Sequence, residues 1–222
     1  MIAAFVIAGL VVFGGIFSSF PSFYIPPTIT GSGSLASRQE SFTGFTGVSI
    51  SSGFRFTITQ SGTYSVNVTT NSNLLNDVQV TQSGNTLYVS VTPFNFFGFS
   101  SLQVTITMPD ISTLDLSGGS TGTVNGFNST HGFTVDASGG SSATVYGSAS
   151  SLSLDGSGGS HIDLSGFHVT DAQVNLSGGA WSTINLSGRL DANVSGGSAL
   201  YYIGSPTMGN ISNTGFSTIA KR

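Results

Sequence analysis

Short segments in which hydrophobic and polar residues alternate run through most of the chain from about residue 34 onward. The clearest examples in the first half are residues 54–58, 64–68, 87–91 and 102–108. Successive side chains of a β-strand point to opposite faces, so this alternation predicts strands with one buried face and one exposed face. Residues 60–63 and 82–85, each with a Ser-Gly pair, are predicted to be turns between neighbouring strands.

From about residue 111 the alternation becomes a repeat marked by the tripeptide Ser-Gly-Gly. The tripeptides begin at Ser117, Ser138, Ser157, Ser177 and Ser195, at intervals of 21, 19, 20 and 18 residues. A short strand precedes each tripeptide and another follows it. A period near 20 with strand patterning predicts a solenoid, in which paired glycines allow the positive-φ corner between two strands.

The alternation also assigns residues of the repeat to the inside or the outside of the solenoid. The residues predicted to face the core are Leu116, Ala137, Leu176 and Val194 before the glycines, and Val124, Val145, Leu164, Leu186 and Tyr202 after them. We therefore predict an all-β protein: a right-handed parallel β-helix-like solenoid over residues 111–222, with an N-terminal β cap over residues 31–110. The cap region is expected to continue the same sheets.

The N-terminus has a different pattern, because no charged side chain occurs before Arg38. Apolar residues and glycine are unbroken from residue 2 to residue 17 and continue to Phe20. As a helix, residues 2–20 would span about 28 Å, close to the hydrocarbon thickness of a bilayer. Residues 1–20 are therefore predicted to form a hydrophobic helix that anchors the protein in a membrane, followed by a Pro-rich spacer over residues 21–30. The alternatives are a cleaved signal peptide and a buried strand exchanged between subunits.

Composition narrows the class of protein further. Only 6% of the residues are charged, against about 25% in an ordinary soluble domain. Five Lys and Arg with a net charge of −4 argue against a nucleic-acid groove, and the lack of charged helix-forming residues argues against helical bundles. A hydrophobic content of 38% argues against disorder. The chain has no cysteine, so it has neither disulfides nor thiolate metal ligands.

Acidic residues offer the main candidates for chemistry. Asp115, Asp136 and Asp155 occupy equivalent positions in successive repeats, so they are predicted to stack in one outward column that Asn175 and Asn193 continue. Such a column is either a weak candidate for a cation site or a solvated ladder, and we expect the ladder.

No catalytic residue, cofactor or metal site is expected elsewhere. The G-x-S-x-G match at residues 118–122 lies at a predicted β corner and lacks the strand–turn–helix context of a nucleophile. His161 and His168 flank a strand seven residues apart, so alternation predicts that they point to opposite faces. The protein is therefore expected not to be an enzyme.

Two further features concern modification and contact. The six glycosylation sequons begin at Asn67, Asn128, Asn175, Asn185, Asn193 and Asn210. Two of them, Asn175 and Asn193, would lie on adjacent rungs, too close for two bulky glycans. The aromatic residues of the loop after residue 92 form a candidate interaction patch; they are Phe94, Phe96, Phe97 and Phe99. The alternative is that this loop closes one end of the solenoid core.

Several motifs, in order, resemble a known family. They include Gly31-Ser32-Gly33-Ser34, the stretch 42–50, the stretch 56–60, Asn73-Leu74-Leu75, Met108-Pro109-Asp110-Ile111, the stretch 202–206 and the stretch 211–215. Over about residues 31–220 the chain resembles the head GIN domain, or putative auto-transporter adhesin, family. The resemblance implies an exported β-helical protein and carries over no catalytic residues. The family's usual Ser-Gly-Ser-Gly-Asp turns and the lipoprotein cysteine of many relatives are absent here, which leaves the helix as the anchor.

Together these observations predict a non-catalytic cell-surface protein, used for adhesion or surface assembly and held by the membrane through residues 2–20. A surface protein or a glycan would be its partner. One alternative is a self-assembling extracellular filament subunit whose N-terminus packs into a sibling subunit. Another is a β-helix that binds or processes polysaccharide, which aromatic side chains in register on one outer face would indicate. The candidates Trp181, Tyr146 and Tyr201 are not expected to form such a column.

Overall fold

The computed structural model of the protein describes residues 30–92 and 101–222. Seventeen β-strands account for nearly all regular structure in these residues, and none of their helices is long and apolar enough to cross a membrane. The strands are β1 (Leu35–Glu40), β2 (Gly47–Ile50), β3 (Arg55–Gln60), β4 (Ser65–Asn71), β5 (Val78–Ser83), β6 (Thr86–Val91), β7 (Leu102–Met108), β8 (Thr113–Leu116), β9 (Thr121–Asn128), β10 (Gly132–Ala137), β11 (Ser142–Gly156), β12 (His161–Leu176), β13 (Trp181–Leu186), β14 (Arg189–Val194), β15 (Ala199–Ile203), β16 (Thr207–Asn213) and β17 (Thr218–Lys221). The helix predicted for residues 2–20 lies outside the described residues.

The strands stack into two faces of a solenoid, which we name sheet one and sheet two. Sheet one has the order β5, β6, β2, β8, β10, second half of β11, second half of β12, β14, β16. Sheet two has the order β1, β4, β7, β3, β9, first half of β11, first half of β12, β13, β15, β17. The predicted stacking of parallel strands is therefore confirmed, and the sheets run without interruption across residue 111.

The inward-facing residues form one continuous core between the sheets. All four residues predicted to face inward before the glycines are buried, as are Val124, Val145, Leu164 and Leu186, while Tyr202 is half-buried against the core. The register of the last two coils differs from the prediction, however. Leu164 lies beside Ile184 and not beside Leu186, because an irregularity in β12 after Leu164 shifts the pairing with β13. Leu186 instead lies beside Val169.

The Ser-Gly-Gly tripeptides form the corners, as predicted, and their geometry explains the glycines. The first glycine of every tripeptide has a positive φ, for example 75° at Gly178. A Cβ on Gly196 would lie 2.7 Å from the carbonyl oxygen of Gly178 in the coil below. Substitution there would therefore both strain the backbone and force the coils apart. The residue after each tripeptide points inward and forms a buried column of Ser120, Ser141, Ser160, Ala180 and Ser198.

An antiparallel cap closes the N-terminal end of the solenoid. In sheet one β5 pairs with β6, and in sheet two β4 pairs with both β1 and β7, all in antiparallel orientation. The turn at residues 82–85 joins two neighbouring strands, as predicted. The turn at residues 60–63 does not, because β7 lies between β3 and β4. That arrangement depends on pairing with a strand some forty residues away, which local turn residues do not specify.

The C-terminal end of the solenoid has no such cap among the described residues. Met208 lies in register with Leu190, which is fully buried, yet Met208 is 44% exposed because no further coil covers it. Ile211 is 42% exposed for the same reason, and Phe216 in the last corner is 98% exposed. The last coil therefore presents core-like side chains and unpaired strand edges at one end of the molecule.

Candidate functional site

The outward column predicted for the aspartates exists on sheet one. Its members, from the cap toward the C-terminal end, are Ser49, Asp115, Asp136, Asp155, Asn175, Asn193 and Ser212. We call this set the polar column. Neighbouring members are separated by the distance between adjacent strands, about 4.8 Å.

Hydrogen bonds neutralise the two ends of the acidic part of the polar column but not its centre. Ser49 Oγ donates to Asp115 Oδ2 at 2.8 Å, and Asn175 Nδ2 donates to Asp155 Oδ1 at 2.8 Å. Asp136 has no side-chain hydrogen bond within residues 30–92 and 101–222. Its pKa is raised, first by partial burial and then by the charges of Asp155 and Asp115. The column therefore opposes ionisation of its central carboxylate, as expected for a ladder of like charges.

A shallow groove of about 280 Å³ follows the polar column along the Ser-Gly-Gly corners. Toward the C-terminal end of the same sheet, a wider groove of about 710 Å³ continues between β12, β14 and β16. Its wall contains the side chains of Gln173, Asn175, Asn193, Asn210 and Ser212. The outer surface of sheet one is thus concave and lined largely by short amides and hydroxyls.

An ion pair lies in the wall of the wider groove. Arg189 donates from Nε to Asp191 Oδ2 at 2.7 Å and from Nη2 to Asp191 Oδ1 at 2.8 Å. The backbone amide of Asn210 also donates to Asp191 Oδ1, at 2.7 Å. The bonds from Arg189 and then from Asn210 lower the pKa of Asp191 to about 2. Asp191 therefore stays ionised over the ordinary pH range and ties β14 to β16.

A second ionisable cluster joins two loops on the other side of sheet one. Asp110 accepts hydrogen bonds from Ser129 Oγ at 2.7 Å and from His131 Nε2 at 2.6 Å. Burial opposes ionisation of Asp110, but these bonds together hold its pKa below the usual value. The pKa of His131 is raised, first by its bond to the carbonyl of Gly132 and then by Asp110. Sequence analysis missed this cluster because its members are up to 21 residues apart in irregular segments.

These polar groups are not arranged for nucleophilic catalysis. In the Asp110 cluster, Ser129 and His131 both bond to the carboxylate, whereas an activated serine donates its proton to the histidine. In the G-x-S-x-G match, Ser120 is buried and its Oγ donates to the carbonyl of Ser117 within the corner. Within the described residues no three His, Asp or Glu side chains are placed to hold a metal ion.

The structure places the six sequons in different environments. Asn175 and Asn193 lie directly opposite each other on adjacent strands, and the amide of Asn175 already bonds to Asp155. Asn128 and Asn185 also use their side-chain nitrogens in hydrogen bonds to backbone carbonyls. Asn67 is a half-buried residue in the middle of β4, between two paired strands. The exposed acceptors without a side-chain hydrogen bond to another described residue are Asn193 and Asn210.

An aromatic cluster on the outer face of sheet two was not expected. The rings of His161 and Trp181 stack with centroids 4.1 Å apart and planes at 28°. Tyr201 contacts Trp181 at 5.7 Å with planes at 48°. The prediction that Trp181 and Tyr201 would not come together is therefore wrong, although Tyr146 does remain separate. A signal was present in the sequence, because these three residues are spaced by the 20-residue repeat.

The prediction that the two histidines flanking β12 point to opposite faces is also wrong. His161 and His168 are both exposed, because the alternation of buried and exposed residues slips at Ser165–Gly166. His168 lies in register with Asn185, away from the His161–Trp181 stack. The phenylalanine patch at residues 94–99 lies outside the described residues.

Parallel strands stacked over some ten rungs, with corners of glycine and outward faces of short polar side chains, define a β-solenoid domain. The sequence pattern of the family described as "Putative auto-transporter adhesin, head GIN domain" matches residues 44–206. The chain belongs to this family, as its motifs predicted. Membership points to an adhesin-like role at the cell surface.

Solved structures agree with this fold. A putative adhesin from Bacteroides fragilis NCTC 9343 is 22% identical with a TM-score of 0.71, covering 87% of this chain and 100% of that one. A putative adhesin from Parabacteroides distasonis ATCC 8503 is 16% identical with a TM-score of 0.59, covering 88% and 100%. One from Parabacteroides merdae ATCC 43184 is 16% identical with a TM-score of 0.56, covering 88% and 99%. No curated protein matches the chain.

Proposed function

We propose that this protein is a non-catalytic cell-surface protein that serves adhesion or surface assembly. The observation that carries the proposal is the family match over residues 44–206, on a solenoid whose two outer faces are open to solvent. A solenoid of this kind offers long lateral surfaces for contact and needs few charged residues to do so. The family's description as an adhesin supports the same role.

The way the chain enters the solenoid supports display from a membrane. Asn73 holds this entry: its Nδ2 donates to the carbonyl of Thr30 at 2.9 Å, and its Oδ1 accepts from the amide of Ser32 at 2.8 Å. The chain therefore enters at the capped end. With residues 2–20 as a membrane helix, the capped end would face the membrane and the open end would point away. The coils are taken as right-handed, the usual hand for parallel crossovers.

The absence of catalysis is part of the proposal. The Asp110 cluster has the wrong connectivity for a serine nucleophile, and the buried Ser120 is committed to its corner. The remaining carboxylates form a ladder, an ion pair and turn contacts. These roles are structural, so the surface is better suited to holding a partner than to transforming one.

The proposal is tested on the source cells. Antibody against the full chain should label intact cells as strongly as permeabilised cells, and the protein should leave the membrane fraction only with detergent. A deletion strain should attach less well to surfaces or to other cells. Label restricted to permeabilised cells, or unchanged attachment in the deletion strain, would contradict the proposal.

A second candidate, a filament subunit, is favoured by the open C-terminal end. Residues 1–29 join the solenoid at the capped end, while Met208, Ile211 and Phe216 are uncovered at the other end. Contact between opposite ends of successive copies is head-to-tail and does not close, so it builds filaments. Negative-stain microscopy of shed protein tests this candidate: filaments that Ile211→Lys abolishes support it, and isolated particles at high concentration reject it.

A further inference from the structure

The aromatic cluster of sheet two lies where it adds nothing to the closure of the core. We call His161, Trp181 and Tyr201 the aromatic corner. All three side chains stand on the outer face, while the inward neighbours Ile162, Ile184 and Leu200 are fully or almost fully buried. Aromatic rings on an outer face keep apolar surface in contact with water, which is unfavourable unless something covers them.

The aromatic corner has an open side. His161 stacks on Trp181 from one neighbouring strand, at 4.1 Å. On the other neighbouring strand the residue in register with Trp181 is Ala199, whose side chain is a single methyl group. Tyr201 stands beside this small residue and contacts Trp181 at a tilt of 48°. The indole and phenol rings therefore form two walls above a small floor.

A row of hydroxyl groups leads to the aromatic corner along the same face. Four threonines lie in register on consecutive strands of sheet two; they are Thr105, Thr57, Thr123 and Thr144. The row continues through Asp163 and Thr183 to Tyr201. Thr183 Oγ1 accepts from Arg222 Nη1 at 3.3 Å, so a guanidinium also stands near the corner. The surface combines one aromatic landing point with an extended strip of uncharged donors and acceptors.

We propose that the aromatic corner binds a pyranose ring of a neutral polysaccharide, and that the chain of sugars extends along the threonine row. A sugar whose hydroxyls are all equatorial presents axial C–H groups on its ring faces. These carry partial positive charge and are attracted to the negative face of an aromatic ring. Its equatorial hydroxyls would reach Tyr201 Oη and the threonines. The inference rests on the proposed adhesive function and names the class of ligand for it.

The ligand is a polymer and not a single sugar, because the surface is a flat strip without an enclosed pocket. It is neutral because the strip bears a row of hydroxyls, with only Asp163 and Arg222 as charges of opposite sign near its end. A strip of this kind gains affinity from several weak contacts in sequence, each made by one sugar.

Trp181 provides its own assay, since it is the only tryptophan of the chain. The full-length protein in detergent micelles is titrated with cellohexaose, xylohexaose and chitohexaose while the tryptophan emission is recorded. At least one oligosaccharide should shift or quench the emission in a saturable way. No change with any of the three overturns the proposal.

Variants locate the binding. In affinity electrophoresis through gels containing the matching polysaccharide, Trp181→Ala should weaken retardation by about tenfold or more, as expected for loss of a stacked aromatic anchor. Trp181→Phe should retain part of it. Tyr146→Ala is the matched control, because Tyr146 is 50% exposed on the same sheet but lies over Gly166, apart from the corner. Equal retardation of wild type and Trp181→Ala, with equal melting temperatures, overturns the proposal.

Attachment assays separate this proposal from the one on which it rests. Beads coated with wild type and with Trp181→Ala are compared for attachment to source cells. Attachment that survives in Trp181→Ala, together with no oligosaccharide response, rejects the polysaccharide site alone. Failure of wild-type beads to attach, together with a saturable emission change, upholds the site and counts against adhesion.

Discussion

Replacing Asp136 by asparagine should stabilise the protein at neutral pH. The carboxylate stands between Asp115 and Asp155 in the polar column, one strand from each. Two unit charges about 4.8 Å apart repel by roughly 0.9 kcal/mol in bulk water. Two such repulsions, screened over a Debye length of about 8 Å at physiological salt, leave roughly 1 kcal/mol.

The amide also brings a hydrogen-bond donor to the centre of the column. Asn175 shows the geometry, because its Nδ2 donates to Asp155 at 2.8 Å from the equivalent position one strand away. Asp136→Asn can repeat this bond to either neighbouring carboxylate. A gain of about 1 kcal/mol corresponds to a rise in melting temperature of about 2–4 °C for a domain of this size. Thermal unfolding followed by circular dichroism at pH 7 measures it.

The pH dependence gives a second, independent sign. The pKa of Asp136 is raised in the folded state above its ordinary value of 3.8. The folded protein therefore takes up this proton more readily than the unfolded chain, so falling pH stabilises wild type through the window between the two pKa values. The advantage of Asp136→Asn should be full at pH 7 and should disappear as the pH approaches 3.8. High salt should also reduce it.

Asp77→Asn is the matched control, since it makes the same chemical change and the same change in net charge away from the polar column. It should leave the melting temperature nearly unchanged. The electrostatic account of the column is refuted by an unchanged or lowered melting temperature in Asp136→Asn. An equal gain in the control, or a gain that persists unchanged at acidic pH, refutes it as well.

Three further outcomes follow from the structure. Ser160→Ala should leave stability unchanged or raise it by up to about 1 kcal/mol, because its buried hydroxyl has no partner, whereas Ser141→Ala should cost about 1 kcal/mol by losing the bond to its corner carbonyl; chemical denaturation of both variants decides. Glycopeptide mass spectrometry of natively produced protein should find glycan on Asn193 rather than Asn175, and full occupancy of both on one chain would contradict the strand register. Between pH 7 and pH 4 the melting temperature should change little, since the bonds of Asp191 persist down to a pKa of about 2; a steep loss in this range would show that other carboxylates matter more.

The parts of the fold that the sequence predicts are those fixed by local geometry. Glycine at a corner follows from a positive φ and from the close approach of the coil below, so each Ser-Gly-Gly marks a corner. Alternation then fixes which residues face inward, and equal coil lengths fix the polar column. Asp115, Asp136 and Asp155 could therefore be placed on adjacent strands before any coordinates existed.

The parts that could not be predicted depend on slips in the repeat and on pairing between distant segments. One slip at Ser165–Gly166 turns His168 outward and moves the partner of Leu164 from Leu186 to Ile184. Alternation carries no warning of such a slip, because each side of it still alternates. The insertion of β7 between β3 and β4 is a pairing of distant segments, and no turn residue encodes it.

The aromatic corner lies between these two cases. His161, Trp181 and Tyr201 recur at the 20-residue period, but the shorter coil before Ser195 places Tyr201 opposite Thr183 and leaves Ala199 opposite Trp181. A coil of full length would have stacked a third ring directly on the indole and covered its second face. The shortened repeat instead leaves that face open beside Tyr201. The same two-residue difference that obscured the cluster in the sequence thus creates the open side on which the proposed sugar ring would lie.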